Sequence, residues 1–267
     1  MPAPRDFNGK VVAITGAAGG MGAAFARRFA RAGARLALLD LADERLAPLA
    51  AELTAGGTEV ITTRCDVSDA TDCRRAIDRV GERFGGIDVL INNAGITHRS
   101  LFGETDLSVF NRVMGVNLFG SLYCTHAALA TLKTRRGLII VVSSIAGIAP
   151  LYERTGYAAS KHALHGLFES LRAELAGDGV DVLIVCPGFT ATGISTAALG
   201  ADGRPARHSQ STVGRLATPE SVAEATFRAA ERRRKLLVLT AVGRTTALLR
   251  RLAPGLYERL MLRSIRQ

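Results

Sequence analysis

Tyr157 and Lys161 stand four positions apart in "YAASK", with only small residues between them. Residues four apart on a helix share a face, so a phenol and an ammonium at this spacing can reach one ligand. A free tyrosine has a pKa of about 10, too high for a base at neutral pH. A nearby cation favours the phenolate and lowers that value. The pair is therefore a candidate for proton transfer, with Tyr157 as acid and base and Lys161 as the cation that makes it usable. Taken alone, the same spacing also suits an exposed helix face, so its reading depends on the surrounding sequence.

A second chemical signal is "TGAAGGMG", Thr15 to Gly22. It lies between an apolar run and a helical pattern, where a glycine-rich turn brings backbone N–H groups and a helix N-terminus against a pyrophosphate. Gly16, Gly20 and Gly22 are the key positions, with Met21 between the last two. Asp40 ends the next apolar run about 20 residues on, where a carboxylate accepts hydrogen bonds from ribose hydroxyls and repels a 2′-phosphate. Neither Gly19 nor Leu41 is basic, which favours NAD(H) over NADP(H). The competing reading of Asp40 is an acidic helix cap.

The elements that must position these residues alternate along the chain. Seven apolar runs, "VVAIT", "RLALLD", "EVITTRCDV", "IDVLINN", "GLIIVVSS", "VDVLIVCP" and "KLLVLT", are separated by amphipathic stretches such as "GAAFARRFARAG" and "HALHGLFESLRAELAGDG". The runs are apolar almost end to end, as expected of parallel strands covered by helices on both faces. The pattern predicts a single doubly wound α/β domain of Rossmann type with about seven parallel strands. Residues 1–240 would form the catalytic domain, including a Gly/Ser/Ala-rich substrate loop at 193–218 that is a lid candidate, and 241–267 a basic amphipathic extension.

Composition narrows the class. The chain of 267 residues is 48% hydrophobic and 22% charged, which suits a globular protein with a large core and argues against disorder. The opening "MPAPRDFNGK" lacks a secretory apolar core, and no uncharged run reads as a spanning helix of about 18 residues. Cys65, Cys73, Cys124 and Cys186 lack CxxC spacing, against a zinc site or a disulfide framework and in keeping with a reducing cytoplasm. No metal is expected: His162 and His165, three apart on a helix, have no third ligand in the sequence. His98 reads as a solvated loop residue and Cys186 as a small apolar core residue.

Five motifs in order, "TGAAGGMG", "NNAG" at 92–95, Ser144, "YAASK" and "PGFTAT" at 187–192, resemble the short-chain dehydrogenase/reductase family over about residues 8–225. The serine thirteen positions before the tyrosine is Ser144 rather than Ser143. The resemblance implies a catalytic set of Asn117, Ser144, Tyr157 and Lys161. In it Tyr157 exchanges a proton with an alcohol or carbonyl oxygen, Ser144 hydrogen-bonds that oxygen, and Lys161 also grips the nicotinamide ribose. Asp66 and Val67 would flank the adenine, and Asn93, Ala94 and Gly95 would support sheet and cofactor. Pro187, Gly188, Thr190 and Thr192 would lie along the cofactor, with Thr192 at the nicotinamide carboxamide. A dimer or tetramer is the family expectation, with the tetramer in question because the C-terminal sequence departs from the common pattern.

Net charge is +10, and from Arg228 onward eleven Lys or Arg against two acids account for +9 of it. The tail carries no recognised nucleic-acid motif. From Gly255 on, Arg259, Arg263 and Arg266 fall on one helical face with Tyr257, Leu260, Met261 and Ile265 opposite. This pattern suits peripheral membrane contact or packing on protein. The sequence thus predicts a cytoplasmic NAD-dependent oxidoreductase for a hydrophobic secondary alcohol or ketone, with an NAD(H)-binding regulator of little turnover as the alternative. Ile145, Ala149, Leu151, Tyr152, Phe189 and Ile194 are the expected pocket neighbours.

Overall fold

A computed structural model of the chain describes residues 3–194, 196–206 and 216–265. Seven parallel strands form one sheet in the order β3-β2-β1-β4-β5-β6-β7. They are β1 Val11–Thr15, β2 Arg35–Asp40, β3 Val60–Arg64, β4 Val89–Asn92, β5 Leu138–Val142, β6 Asp181–Cys186 and β7 Leu236–Val238. Each apolar run of the sequence supplies one of them. The strand order reverses between β1 and β4, and an open α/β sheet binds ligands at such a reversal, beyond the carboxyl ends of its strands.

Alternate residues of one strand enter different cores. Val12 and Ile14 of β1 join Phe25 and Phe29 of α1 (Gly20–Ala30) and Phe227 of α7 (Pro219–Glu231). Val11 and Ala13 face the other way, into a cluster with Ile77 of α3 (Ala70–Phe84), Cys124 of α5 (Gly120–Thr134) and Phe168 of α6 (Thr155–Glu174). Burial on both faces explains why these strands read as continuous apolar runs. The short α2 (Ala47–Ala55) lies between β2 and β3.

Between β4 and β5, α4 (Leu107–Met114), a π-helical turn (Gly115–Phe119) and α5 run on as one 28-residue helix, Leu107–Thr134. It is apolar and long enough to cross a membrane, which the run-by-run sequence reading does not pick out. Here it packs on α3 and the sheet, and the buried polar residue Asn117 lies at its middle. After β7, α8 (Ala241–Leu252) begins with Thr240 Oγ1 accepting from Gly243 N at 2.9 Å, and α9 (Pro254–Ile265) follows. Ser195 and residues 207–215 of the expected lid, and Arg266 of the expected tail face, lie outside the described residues.

Candidate active site

The β1–α1 turn is shaped by contacts that only glycine permits. Gly16 has φ +64°, and a Cβ there would meet Ala94 Cα at 2.9 Å. A Cβ on Gly22 would overlap the Gly16 carbonyl oxygen. Asn93 locks the turn, its Nδ2 donating to the carbonyls of Thr15 and Gly16 at 2.9 and 3.0 Å. Thr15 Oγ1 in turn accepts from the N–H groups of Asn93 and Ala94 at 3.0 and 3.1 Å. Helix α1 starts without a side-chain cap and without an acidic residue in its first turn. Its first N–H groups and the positive end of its dipole are left for an anion.

These residues open onto a cleft of about 270 Å³ lined by Gly19, Gly20, Met21, Gly22, Arg45, Asn93, Ala94, Gly95, Ile96, Thr192, Gly193, Ile194 and Ala197. The Asp40 carboxylate at its β2 side accepts from Ala18 N at 2.9 Å and from Ala42 N at 3.2 Å. Arg45 brings a cation to this cleft that an inspection of positions 19 and 41 misses, because the 3₁₀ turn Asp43–Arg45 folds back after β2. Asp66 accepts from Ser68 N at 2.9 Å, and Val67, after β3, packs where a Cβ on Gly120 would meet its Cγ2 at 2.8 Å. Beyond β6, Pro187 O accepts from Ile145 N at 3.0 Å, Gly188 lies against Thr240, and Thr190 bridges to Ala217. Thr192 lies across from Gly20, where an added Cβ would stand 3.4 Å from its Cγ2.

The polar residues singled out by the sequence converge at the carboxyl ends of β4 and β5. Asn117 is fully buried in the π turn, a helix defect frequent at functional sites. Its Oδ1 accepts from Ile96 N at 2.8 Å, and its Nδ2 donates to Ile96 O at 3.0 Å and to Ser160 Oγ at 2.8 Å. A Cβ on Gly95 would stand 3.2 Å from Asn117 Oδ1 and 3.5 Å from Lys161 Nζ, so glycine keeps these groups together. Ser144 ends the β5 segment, accepts from Ala146 N at 3.1 Å, and acts on the Tyr157 phenol to favour its ionised form. Ser143 instead turns inward and donates to Lys161 O at 3.2 Å.

The electrostatics differ from the sequence expectation. Lys161 Nζ donates to Val142 O at 2.8 Å and lies 5.8 Å from the centre of the Tyr157 ring. Burial pushes this ammonium down to about 8 from its ordinary 10.5. Burial also holds the Tyr157 phenol above its ordinary value, with Ser144 and then Arg154 acting in the opposite direction. The expected lowering by Lys161 is therefore not the leading effect in the free protein: its ammonium is aimed at a strand carbonyl rather than at the phenol.

His98 and the cysteines Cys65, Cys73 and Cys124 depart from their sequence readings. His98 is fully buried rather than solvated, its Nε2 accepting from Gly156 N at 2.9 Å and its Nδ1 facing Ser100 Oγ at 3.2 Å. Burial and the Arg154 charge push it down to about 4, so the ring is neutral with the proton on Nδ1. Cys65, Cys73 and Cys124, far apart in sequence, bring their sulfurs within 4.8 Å of one another in the core behind Val67. Among the described residues no fourth ligand joins them, short of the four that a structural zinc takes. Cys186 is buried at the end of β6, its thiol pushed up to about 12 by burial, as a core residue would be. His162 and His165 bond to Ala158 O and Glu169 rather than to each other. Of the expected pocket neighbours, Ile194 lines the cleft, Ala149 is buried, and Tyr152 is 44% exposed.

A glycine-built anion cradle beside a Ser, Tyr, Lys and Asn cluster on a parallel sheet defines a class of dinucleotide-dependent enzyme. The sequence model of the short chain dehydrogenase family matches residues 10–201. The chain belongs to the short-chain dehydrogenase/reductase family and is by that membership an oxidoreductase. It is 39% identical over 259 residues to dehydrogenase/reductase SDR family member 7B of Bos taurus, covering 94% of this chain and 80% of that one. It is 40% identical over 195 residues to 11-beta-hydroxysteroid dehydrogenase-like 2 of Arabidopsis thaliana, covering 72% and 63%. A Burkholderia phymatum short chain dehydrogenase/reductase solved in complex with NAD superposes with a TM-score of 0.84 at 31% identity, over 94% of this chain and 96% of that one. An alcohol dehydrogenase from Thermococcus sibiricus complexed with 5-hydroxy-NADP gives 0.75 at 30% identity, over 88% and 97%.

Proposed function

We propose that the protein transfers a hydride between NAD(H) and a secondary alcohol or ketone of lipophilic character. The observation that carries this reading is that Asn117 and Lys161, with Tyr157 and Ser144 beside them, gather behind Gly95 and Ile96, which line the same cleft as the glycine turn. The residues fit a dinucleotide: α1 offers uncapped N–H groups, and Gly16 and Gly22 allow a turn so tight that a Cβ on either would strike backbone atoms, which brings those N–H groups to the cleft. When bound, the nicotinamide supplies the hydride acceptor or donor. Tyr157 takes the proton from the alcohol, or returns it to the carbonyl oxygen, while Ser144 holds that oxygen. Lys161, whose Nζ donates to Val142 O at 2.8 Å, would be the residue to hold the ribose. Asp40 would favour NAD by accepting from the ribose hydroxyls, and Arg45 would bring a cation to the bound anion. A screen of secondary alcohols and ketones, following reduced-nicotinamide absorbance, tests the assignment. Turnover of apolar members of the panel is expected, and a null result across the panel with both cofactors would contradict it.

A second element of the reading concerns α8 and α9. Val242, Leu248, Leu252, Leu256, Leu260 and Leu262 are each at least 46% exposed, interspersed with Arg244, Arg251, Arg259 and Arg263. Of the expected apolar face, Tyr257 and Met261 are half-buried, with Tyr257 OH donating to Pro150 O at 2.8 Å, while Leu260 is exposed. Exposed leucines among arginines suit the headgroup region of an anionic bilayer. We propose peripheral attachment there, beside the Ile145–Pro150 segment of the active site. Cosedimentation with anionic vesicles, but not with neutral ones, is expected for the full chain. A chain ending at Ala253 should sediment less; equal sedimentation of both, or none for the full chain, would leave the leucines to a second subunit.

A further inference from the structure

Burial opposes ionisation of the Tyr157 phenol, and the ammonium expected to offset this is turned to Val142 O. Besides burial, Ser144, Arg154 and Cys186 act electrostatically on the phenol, the first two favouring its ionised form. Cys186 is a neutral thiol, its proton held by burial. That leaves Arg154, which ends the loop before α6 and lies three residues, or one turn, before Tyr157.

Arg154 is only 8% exposed, although the residue after β5 loops that precedes a helix is ordinarily solvated. Its Nη1 donates to the Oγ1 of Thr97, itself 2% exposed, at 2.7 Å. Among the described residues no carboxylate stands within ion-pair distance of it: Asp88, Asp181, Asp72 and the other paired acids are engaged by different cations. Around it stand Arg99, a like charge, Glu153, the adjacent acid, His98, which is neutral, and Tyr157. A buried guanidinium without a carboxylate is strongly unfavourable and is retained where it has work to do. Arginine cannot shed its proton in compensation, whereas Lys161, pushed down to about 8, is only partly charged in weakly alkaline solution.

We propose that Arg154 is a positioning residue for the reaction: a permanent buried charge, pinned by Thr97 one turn before Tyr157, that favours the phenolate in the free enzyme. The same anchoring ties α6 to the loop after β4, where Gly156 N donates to His98 Nε2 and Ser100 N donates to Glu153 O at 3.1 Å. That loop is in turn tied to the substrate segment, since Arg99 N donates to Leu199 O at 2.7 Å and Leu199 N to Thr97 O at 2.9 Å. The charge that favours the phenolate is thus held by the segment that borders the substrate. This inference rests on Tyr157 as the proton carrier.

The test reads the phenol directly and needs no substrate. The chain has four tyrosines, so the tyrosinate absorbance of the protein minus that of its Tyr157→Phe variant isolates one titration. In Arg154→Met that titration should move to higher pH, and Arg154→Lys should move it back part of the way. Thr97→Val, which releases the guanidinium without removing it, should move it in the same direction as Arg154→Met and serves if the latter fails to fold. An unchanged Tyr157 titration in a folded Arg154→Met, or in Thr97→Val, would overturn the proposal, because a purely structural arginine would leave it in place. Loss of turnover in Tyr157→Phe is a separate readout: its absence would refute the role of Tyr157 while leaving the titration result interpretable.

Discussion

Replacing Lys161 with methionine should make the protein more stable at neutral pH while abolishing its activity. Lys161 is 4% exposed, and its ammonium is pushed down from 10.5 to about 8 by burial. A shift of that size corresponds to about 3 kcal/mol of stability withheld while the side chain is charged. Methionine fills a similar volume without the charge, but it leaves Val142 O without the Nζ donor at 2.8 Å, which costs about 1 kcal/mol. The net expectation is a gain of about 2 kcal/mol at pH 7. The sign follows from linkage: the folded-state value is lowered, so the burden is fully present below about 8 and is shed as pH rises from there to 10.5. Across that window the parent should recover about 3 kcal/mol relative to Lys161→Met. Urea unfolding of both proteins at pH 7, 9 and 10.5 measures the difference. A stability difference that does not change with pH would refute the reasoning, because it would mean that the ammonium is not desolvated in the folded state.

Acidification should act through His98, whose folded value of about 4 lies below the ordinary 6.5. The unfolded chain takes the proton first, so stability present above about 6.5 is lost toward pH 4, by about 3 kcal/mol in all. His98→Gln should lack that component, and parallel pH slopes for the two proteins in urea unfolding would contradict this. Asp40→Ala should raise NADP affinity relative to NAD by about tenfold, about 1.4 kcal/mol, through loss of a negative charge beside the ribose. Fluorescence titration with both reduced cofactors measures it, and a parent protein that already prefers NADP would reverse the assignment. Gly22→Ala should abolish dinucleotide binding, since its methyl group would occupy the space of the Gly16 carbonyl; unimpaired binding in that titration would remove the turn from the cofactor site.

The strands were legible because burial on both faces leaves an unbroken apolar record, as in "VVAIT" and "LIIVV". The glycine turn was legible because Gly16 and Gly22 answer to backbone constraints that no other residue meets. Tyr157 and Lys161 could be paired from their spacing, but not oriented. That Lys161 faces Val142 O depends on where β5 ends, which helical geometry does not contain. His98 and Arg154 were missed for a related reason: each is polar and lies in a loop, and only tertiary packing buries them. The three thiols of Cys65, Cys73 and Cys124 meet because β3, α3 and α5 converge, with no local spacing to announce it. In the C-terminal segment the helical period was correct, but which side faces inward depends on the loop around Pro150, whose carbonyl accepts from Tyr257 OH while Leu256, Leu260 and Leu262 stay outside.

The most direct test of Tyr157 as proton carrier is the turnover of the Tyr157→Phe variant, measured by reduced-nicotinamide absorbance with whichever alcohol or ketone the parent converts. The variant removes one hydroxyl from a half-buried ring and leaves Asn93, the glycine turn and Lys161 in place. A loss of at least about a hundredfold in kcat is expected, with NAD(H) binding within about twofold of the parent. A Tyr157→Phe protein that turns over within a few-fold of the parent would contradict the assignment and move the proton chemistry to another group.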